Sequence, residues 1–268
     1  MGAGALSRFN KGDNCLNVIG VVSALKSEAT CIMNLRIPVY RVVNVGDRTR
    51  LCLSSMGSNA ARGAALKLHE YGVTALVSFG VAAALDDKLI PGDLVLPESI
   101  MVNGESLPVD LEWRNSLERL LSAHLTVTGG VLVSSEAPLT SRQEKLALGE
   151  ASGACAADME SAAVAKVAAD EGIPFIAIRA IVDPIDFSPP EALLSAVYPD
   201  GGVDFIRLMT LLINGSVSIK TLIHLALGMH AARTTLTKVV QTAGAAFASQ
   251  SSLDRYDDED SGESIDNK

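Results

Sequence analysis

Residues 157–186 read ADMESAAVAKVAADEGIPFIAIRAIVDPID, and this stretch decides the fold of the chain. Small and apolar residues run from 161 to 169 with almost no turn former, which predicts a tightly packed helix. Gly172 and Pro174 end that helix. Residues 175–182 are a nearly continuous apolar run, which is typical of a strand buried on both faces. The stretch therefore predicts a helix that leads into a central strand.

Charged residues stand at the turning points of this stretch. Asp158 and Glu160 precede the helix, where carboxylates complement the free N–H groups of the first turn. Asp183 ends the strand, at the edge where open α/β sheets place their ligands. Taken singly, Glu160 is explained as a helix-start charge and Asp183 as a turn residue before Pro184. Arg179, inside the apolar strand, needs a carboxylate or a ligand anion, so the group together indicates a site.

Composition limits the classes of function. The chain has 268 residues, 48% of them hydrophobic, and a net charge of −9. Such an acidic chain without a basic cluster predicts that nucleic acid is not a partner. Four cysteines without Cys-x-x-Cys spacing predict reduced thiols in a cytoplasm, and scattered histidines predict no metal site. The sequence lacks a signal-peptide pattern and an apolar run of about 18 residues. We therefore predict that no segment spans a membrane.

Predicted strands and helices alternate along the chain. This order predicts an α/β fold: a single three-layer α/β/α domain with a mixed central sheet, followed by C-terminal helices. The predicted organisation is a flexible N-terminus (1–14), the α/β domain (15–188), a helical extension (189–245) and an acidic, disordered tail (246–268). Residues 205–213 and 219–240 of the extension predict two helices, the second with an apolar stripe at helical spacing.

Four predicted strands end in polar turns that would meet at one edge of the sheet. Glu28 lies in the first turn, within a predicted loop at 26–28, and Gly57, Gly80 and Asp183 lie in the others. Loops at one end of a rigid sheet are the usual place for a site. Residues 57–63 precede a helix but lack the Gly-x-Gly-x-x-Gly and Gly-Lys-Ser/Thr patterns, which argues against dinucleotide and P-loop binding.

Two short motifs resemble a known family. Met159-Glu160 at a helix start and Arg179-x-x-x-Asp183 in the next strand match the order and spacing of the nucleoside phosphorylase and nucleosidase superfamily, which includes the MTA/SAH nucleosidases. The resemblance extends over residues 17 to about 186. It implies the nucleoside phosphorylase-like fold and an enzyme that cleaves the N-glycosidic bond of a purine nucleoside.

The resemblance also implies roles for individual residues. Asp183 would protonate the departing purine, with Arg179 as the second catalytic residue of the same strand. Glu28 would activate water, as in the nucleosidase branch. Glu160 would bond the ribose hydroxyls, and Met159 would pack on the sugar.

Other substrate-binding positions depart from the family pattern. Gly57 and Gly80 match its turns, but Val81 stands where relatives carry Ser, and residues 83–84 are alanines in place of a glycine pair. Pro138 stands where nucleosidases stack an aromatic residue on the base. These departures leave room for a non-catalytic nucleoside-binding protein as an alternative of another class.

Residues 183–201 and the helices behind them are similar to the hopanoid-associated phosphorylase subfamily. That similarity implies removal of adenine from adenosylhopane by phosphorolysis, with inorganic phosphate as co-substrate and no other cofactor. It also implies a lipid-linked substrate, weak contact with the inner membrane and, as in relatives, a homo-oligomer. The arginines that bind phosphate in several phosphorylases have no counterpart, although Arg62 and Arg142 are candidate substitutes. Hydrolysis by water that Glu28 activates therefore remains the alternative.

Overall fold

The computed structural model describes residues 18–34, 37–187, 189–198, 200–202 and 204–244. The predicted flexible N-terminus at 1–14 and the predicted acidic tail at 246–268 lie outside the described residues. No helix within the described ranges combines the length and the apolar character that crossing a membrane requires.

Helices and strands alternate as the sequence predicts. The helices are α1 (Lys26–Ile32), α2 (Ser58–Glu70), α3 (Leu111–Leu121), α4 (Arg142–Ser152), α5 (Ser161–Glu171), α6 (Glu191–Leu194), α7 (Phe205–Ile213) and α8 (Ile219–Ala243). The strands are β1 (Ile19–Ser23), β2 (Val42–Val45), β3 (Thr49–Leu53), β4 (Ala75–Ala84), β5 (Leu94–Val95), β6 (Ser99–Val102), β7 (Glu105–Pro108), β8 (Val127–Thr128), β9 (Val131–Ser134), β10 (Ala156–Asp158) and β11 (Phe175–Asp183).

One mixed sheet forms the centre of the molecule. Its main path runs β2-β3-β1-β4-β10-β9-β6-β7, and β11, β5 and β8 branch from β4. The strand β4 is parallel to β1 and β11 and, at its far end, antiparallel to β10. The carboxyl ends of β1, β4 and β11 therefore meet at one edge, as the loop argument requires.

Helices cover both faces of the sheet. The alanine-rich helices α2 and α5 pack on one face and on each other, since their short side chains allow close approach. Helices α1, α3 and the C-terminal half of α8 pack on the other face. The three-layer α/β/α prediction is confirmed, and α8 completes one of the layers. Helix α7 has the predicted bounds, whereas the division into domains stays a prediction.

Two local predictions are wrong. Residues 26–28 begin helix α1, because the Glu28 carboxylate accepts the backbone N–H groups of Ala24 and Leu25 and so stabilises the first turn. Gly80, predicted in the turn after a strand, lies inside β4, which continues to Ala84. Farther along the chain, β8 and β9 are two short strands separated by Gly129 and Gly130. Gly130 has a φ of +93°, which glycine adopts readily and which interrupts a strand. The hairpin β6–β7 is absent from the sequence-based prediction.

Candidate active site

A cavity of about 170 Å³ opens at the carboxyl ends of the central strands. Its described lining includes six residues predicted from the sequence as site residues: Glu28, Val81, Pro138, Met159, Glu160 and Asp183. These residues come from five separate segments of the chain, so it is the sheet that brings them together. The other predicted residues, Gly57, Gly80 and Arg179, lie behind or beside this lining.

Glu28 is held in one orientation by four hydrogen bonds. Its Oε2 atom accepts the Ser23 hydroxyl at 3.1 Å and the N–H groups of Ala24 and Leu25 at 3.0 and 2.9 Å. Its Oε1 atom accepts only the Val81 N–H, at 2.9 Å, among the residues described. Burial raises the pKa of Glu28, and the Arg179 charge and these hydrogen bonds partly offset that rise. The Oε1 atom therefore retains a lone pair for a further donor.

Gly80 is required by the close approach of two charged side chains. A Cβ atom at this position would overlap Arg179 and would lie 2.5 Å from Oε1 of Glu28. Any larger side chain would push the acid and the guanidinium out of place. Gly80 does not line the cavity itself. We infer that glycine is needed at this position of β4 because it leaves room for the side chains of Arg179 and Glu28.

Arg179 is buried and paired inside the protein. Its Nη2 atom lies 2.7 Å from Oδ2 of Asp158 and donates to the hydroxyls of Ser78 and Ser161 at 2.6 and 3.0 Å. The partner that a buried arginine needs is thus Asp158, a residue whose sequence context indicated only a helix-start charge. Arg179 supplies a fixed positive charge behind the carboxylates of the cavity.

Glu160 links the cavity to the turn before α2. Its Oε1 atom accepts the Gly57 N–H at 2.8 Å. Burial raises the pKa of Glu160 to about 7, the nearby Asp158 charge adds to the rise, and Arg179 opposes it. A second cavity of about 800 Å³, which shares Met56, Ser135 and Met159 with the first, lies on the Gly57 side. Together the two cavities offer space on both sides of Met159.

Asp183 has one paired oxygen and one free oxygen. Its Oδ2 atom lies 2.9 Å from Nζ of Lys145, whereas within the described ranges no donor reaches the buried Oδ1 atom. Burial raises the pKa of Asp183 to about 6, although the Lys145 charge lowers it. A carboxyl group with this pKa keeps a substantial protonated fraction near pH 6, and its free oxygen can give that proton to a ligand.

Lys145 is the main functional candidate that the sequence does not reveal. It lies on α4 with no exposed surface, and Nζ also donates to the carbonyl oxygens of Pro184 and Phe187 at 2.8 and 2.5 Å. Three acceptors satisfy its three N–H bonds. Polar residues precede it and apolar residues follow it, so the sequence does not predict its burial, and only its absence from the surface identifies it.

The two arginines considered as phosphate ligands lie elsewhere. Arg62 is exposed on α2, and Arg142 pairs with the exposed Asp186 at 2.6 Å. Among the described residues that line the cavity there is neither Arg nor Lys. The positive charges nearest to the site, Arg179 and Lys145, are already paired with carboxylates of the protein.

Lys145→Met should shift the pH profile of catalysis. Removal of the ammonium group raises the pKa of Asp183 above its value of about 6. If protonated Asp183 acts as the acid, the descending limb of kcat/KM should move to higher pH by about 1–3 units, the effect of a close opposite charge. Steady-state kinetics from pH 5 to 9 measure this shift. Thermal unfolding verifies that the variant folds, and Lys166→Met, at an exposed lysine, is the matched control. A folded variant with an unmoved limb would contradict this role.

Comparison with known proteins decides the family. Residues 36–198 match the family model described as the phosphorylase superfamily, and this match covers more than half of the chain. The chain belongs to the phosphorylase superfamily. As the sequence predicts, it is an enzyme of a superfamily that cleaves N-glycosidic bonds.

Known proteins resemble this phosphorylase-superfamily enzyme at low sequence identity. A 5′-methylthioadenosine/S-adenosylhomocysteine nucleosidase of Staphylococcus aureus (strain JH9) is 22% identical over 196 residues, which cover 62% of this chain and 86% of the relative. The structure of futalosine hydrolase of Helicobacter pylori strain 26695 superposes with a TM-score of 0.63 at 16% identity and covers 85% of this chain and 97% of its own. The nucleosidase of Neisseria meningitidis in complex with methylthio-immucillin-A gives a TM-score of 0.62 at 19% identity, with 84% and 97% covered. These structures show that the fold is shared.

Proposed function

We propose that this enzyme hydrolyses the N-glycosidic bond of a purine nucleoside, with water as the nucleophile. The observation that carries the proposal is one cavity lined by buried carboxyl groups, Glu28 and Asp183 among them, with neither Arg nor Lys among its described lining residues. An acid and a base on opposite sides of a bond are what hydrolysis requires. A phosphate nucleophile would instead need positive charge beside it.

Asp183 is the general acid in this mechanism. Its protonated Oδ1 atom gives the proton to the purine ring as the bond from the sugar carbon to the base breaks, and the bonding electrons leave with the base. General acid catalysis of this kind contributes about 10²–10⁴ in rate, or roughly 3–5 kcal/mol. Lys145 holds the other oxygen, so the proton resides on Oδ1, which has no partner among the described residues.

Glu28 is the general base. Val81 occupies one acceptor position of Oε1, and the second can take a water molecule. That water attacks the positively charged sugar carbon and passes a proton to Glu28, so the products are the free purine and the free sugar. The hydrogen bonds from Ser23, Ala24 and Leu25 hold the carboxylate in place, and no reorganisation is needed at the moment of attack.

Glu160 and Met159 bind the sugar in this proposal. The Gly57 N–H binds Oε1 of Glu160. The Oε2 atom accepts the Met159 N–H at 3.3 Å and keeps a lone pair for a ribose hydroxyl. Ionised Glu160 also places negative charge near the developing sugar cation and so stabilises the transition state. Met159 lines both cavities and supplies an apolar surface between base and sugar.

The predictions of phosphorolysis and of adenosylhopane as substrate have less support than hydrolysis of a purine nucleoside. The relatives reported above are nucleosidases and a hydrolase by name, which favours water over the phosphate that the sequence predicts first. Adenosylhopane as substrate, a cytoplasmic location at the inner membrane and a homo-oligomer stay predictions. Superfamily membership favours an enzyme over the non-catalytic alternative.

Product analysis with and without phosphate tests the nucleophile. We expect adenine release from 5′-methylthioadenosine, adenosine or adenosylhopane at the same rate in phosphate-free buffer and in 50 mM phosphate, with a free sugar in both. Mass spectrometry of the sugar separates the two reactions, because phosphorolysis gives a sugar phosphate. A sugar phosphate as the main product, or a rate that depends on phosphate, would contradict hydrolysis. The relative rates on the three nucleosides identify the 5′ substituent.

A further inference from the structure

A cluster of large apolar side chains lies exposed on α7 and the first half of α8. We call it the docking face; it consists of Ile206, Met209, Ile213, Ile219, Ile223 and Leu227. Ile206 and Ile213 are 81% and 85% exposed, and Ile219 and Leu227 are 68% and 60% exposed. Single exposed apolar residues are normal on a protein surface, but a cluster on two successive helices indicates an interaction surface.

The rest of α8 anchors this face to the body of the protein. Ala232, Leu236 and Val239 in its second half are fully buried against β11, α1 and α3. The first half of the same helix continues beyond that contact and presents its apolar side chains outward. Because one continuous helix carries both parts, the docking face is held on a rigid support.

The charge of this segment is opposite to that of the chain. Residues 205–244 contain four cations, Arg207, Lys220, Arg233 and Lys238, and neither Asp nor Glu, although the whole chain carries −9. All four are exposed, and two of them, Arg207 and Lys220, are sequence neighbours of Ile206 and Ile219 in the docking face. An apolar face flanked by cations and free of acids is complementary to an anionic, apolar surface.

A recess beside the docking face has the same character. This cavity of about 690 Å³ lies between α8 and the turn after β11, and Leu227 belongs to both surfaces. Pro91 and Phe187 give it apolar walls, and Lys220 and His224 place cationic or ionisable groups at it. The one acid among its described lining residues, Asp186, is paired with Arg142. The recess thus offers an anionic headgroup a position next to the apolar face.

We propose that the docking face binds the surface of an anionic lipid bilayer, with α7 and the first half of α8 lying in the interface. A second copy of the chain is a poorer occupant, because a two-fold contact would place Arg207 and Lys220 near their own copies with no acid from these helices between them. The acidic tail of the same chain has the right charge but only two large aliphatic side chains, Leu253 and Ile265. This proposal is independent of the proposed catalytic function.

Vesicle co-sedimentation of the full-length protein tests the proposal. We expect binding to vesicles of phosphatidylcholine with about one third phosphatidylglycerol, and at least about five-fold weaker binding to phosphatidylcholine alone or in 0.5 M NaCl, since screening weakens charge attraction. The triple variant Ile206→Gln, Ile213→Gln and Ile219→Gln should lower binding at least about ten-fold, because each isoleucine loses its apolar contact with the lipid. It should keep its thermal stability, because these side chains are exposed.

A matched control distinguishes binding through the docking face from nonspecific adsorption of exposed apolar side chains to vesicles. The variant Tyr71→Gln, Ile90→Gln and Leu111→Gln removes three exposed apolar side chains elsewhere and should bind vesicles as the wild type does. Equal losses in both triple variants, or no binding to anionic vesicles, would overturn the proposal. Loss of a dimer in the first variant without any vesicle binding by the wild type would assign the face to a second copy.

The tail is tested with the full chain as well. A variant with Asp257→Asn, Asp258→Asn, Glu259→Gln and Asp260→Asn removes four of its charges. We expect this variant to bind anionic vesicles at least as well as the wild type. Binding that appears only in this variant would mean that the tail occupies the docking face, and would overturn the proposal for the native chain.

Discussion

Asp183→Asn should lower kcat for base release at least about 100-fold, the lower end of what general acid catalysis contributes. The amide has the shape of the carboxyl group and can remain near Lys145, but it has no acidic proton to give to the departing base. Ground-state contacts with the sugar do not involve Asp183 in our proposal, so KM should change by less than about five-fold. Steady-state release of adenine, followed by absorbance or chromatography, measures both constants.

The control for this variant is Asp170→Asn. Asp170 is an exposed aspartate on α5 that pairs with Lys166, and its replacement should leave kcat unchanged. Asp183→Asn with more than about a tenth of the wild-type rate would contradict the role of general acid. A thermal unfolding curve similar to that of the wild type shows that the loss is chemical.

Glu28→Gln should lower the rate of hydrolysis by a similar factor, at least about 100-fold. The amide cannot accept a proton from the attacking water. Its NH₂ group would also face N–H donors on one side, either Val81 or the pair Ala24 and Leu25, and would disturb the first turn of α1. Single-turnover kinetics with bound nucleoside measure the chemical step directly.

A second substitution separates chemistry from folding at this position. Glu28→Asp keeps the charge but withdraws the oxygens by about one bond length, so it should recover part of the rate lost in Glu28→Gln. The exposed Glu150→Gln is the matched control and should be neutral. If Glu28→Gln and Glu28→Asp fold and both retain the wild-type rate, Glu28 is only a structural residue of α1, and the hydrolytic proposal loses its base.

Local patterns in the sequence determined the central part of the fold. The helix–strand pair at 157–186 follows from helix propensity, from the stop at Gly172 and Pro174, and from a run of apolar residues, all of which act over a few residues. The same patterns placed Glu28 and Asp183 near strand ends, and parallel strands bring such ends to one edge. Gly80 was predicted in a turn but lies inside β4. The α1 helix was mispredicted because hydrogen bonds to the Glu28 carboxylate stabilise its first turn. Residue types alone do not show that these hydrogen bonds form.

The tertiary structure alone decided which charges face each other. Asp158 and Glu160 are two positions apart and both line the cavity, yet Asp158 pairs with Arg179 whereas Glu160 accepts the Gly57 N–H. Lys145 reaches Asp183 across 38 positions because α4 packs beside the end of β11, and no local rule predicts a buried lysine there. Burial also sets the raised pKa of Asp183, since the loss of water disfavours the charged form. Sequence patterns extend over a helix turn or a strand, whereas electrostatics depends on distance and on burial, which exist only once the chain has folded.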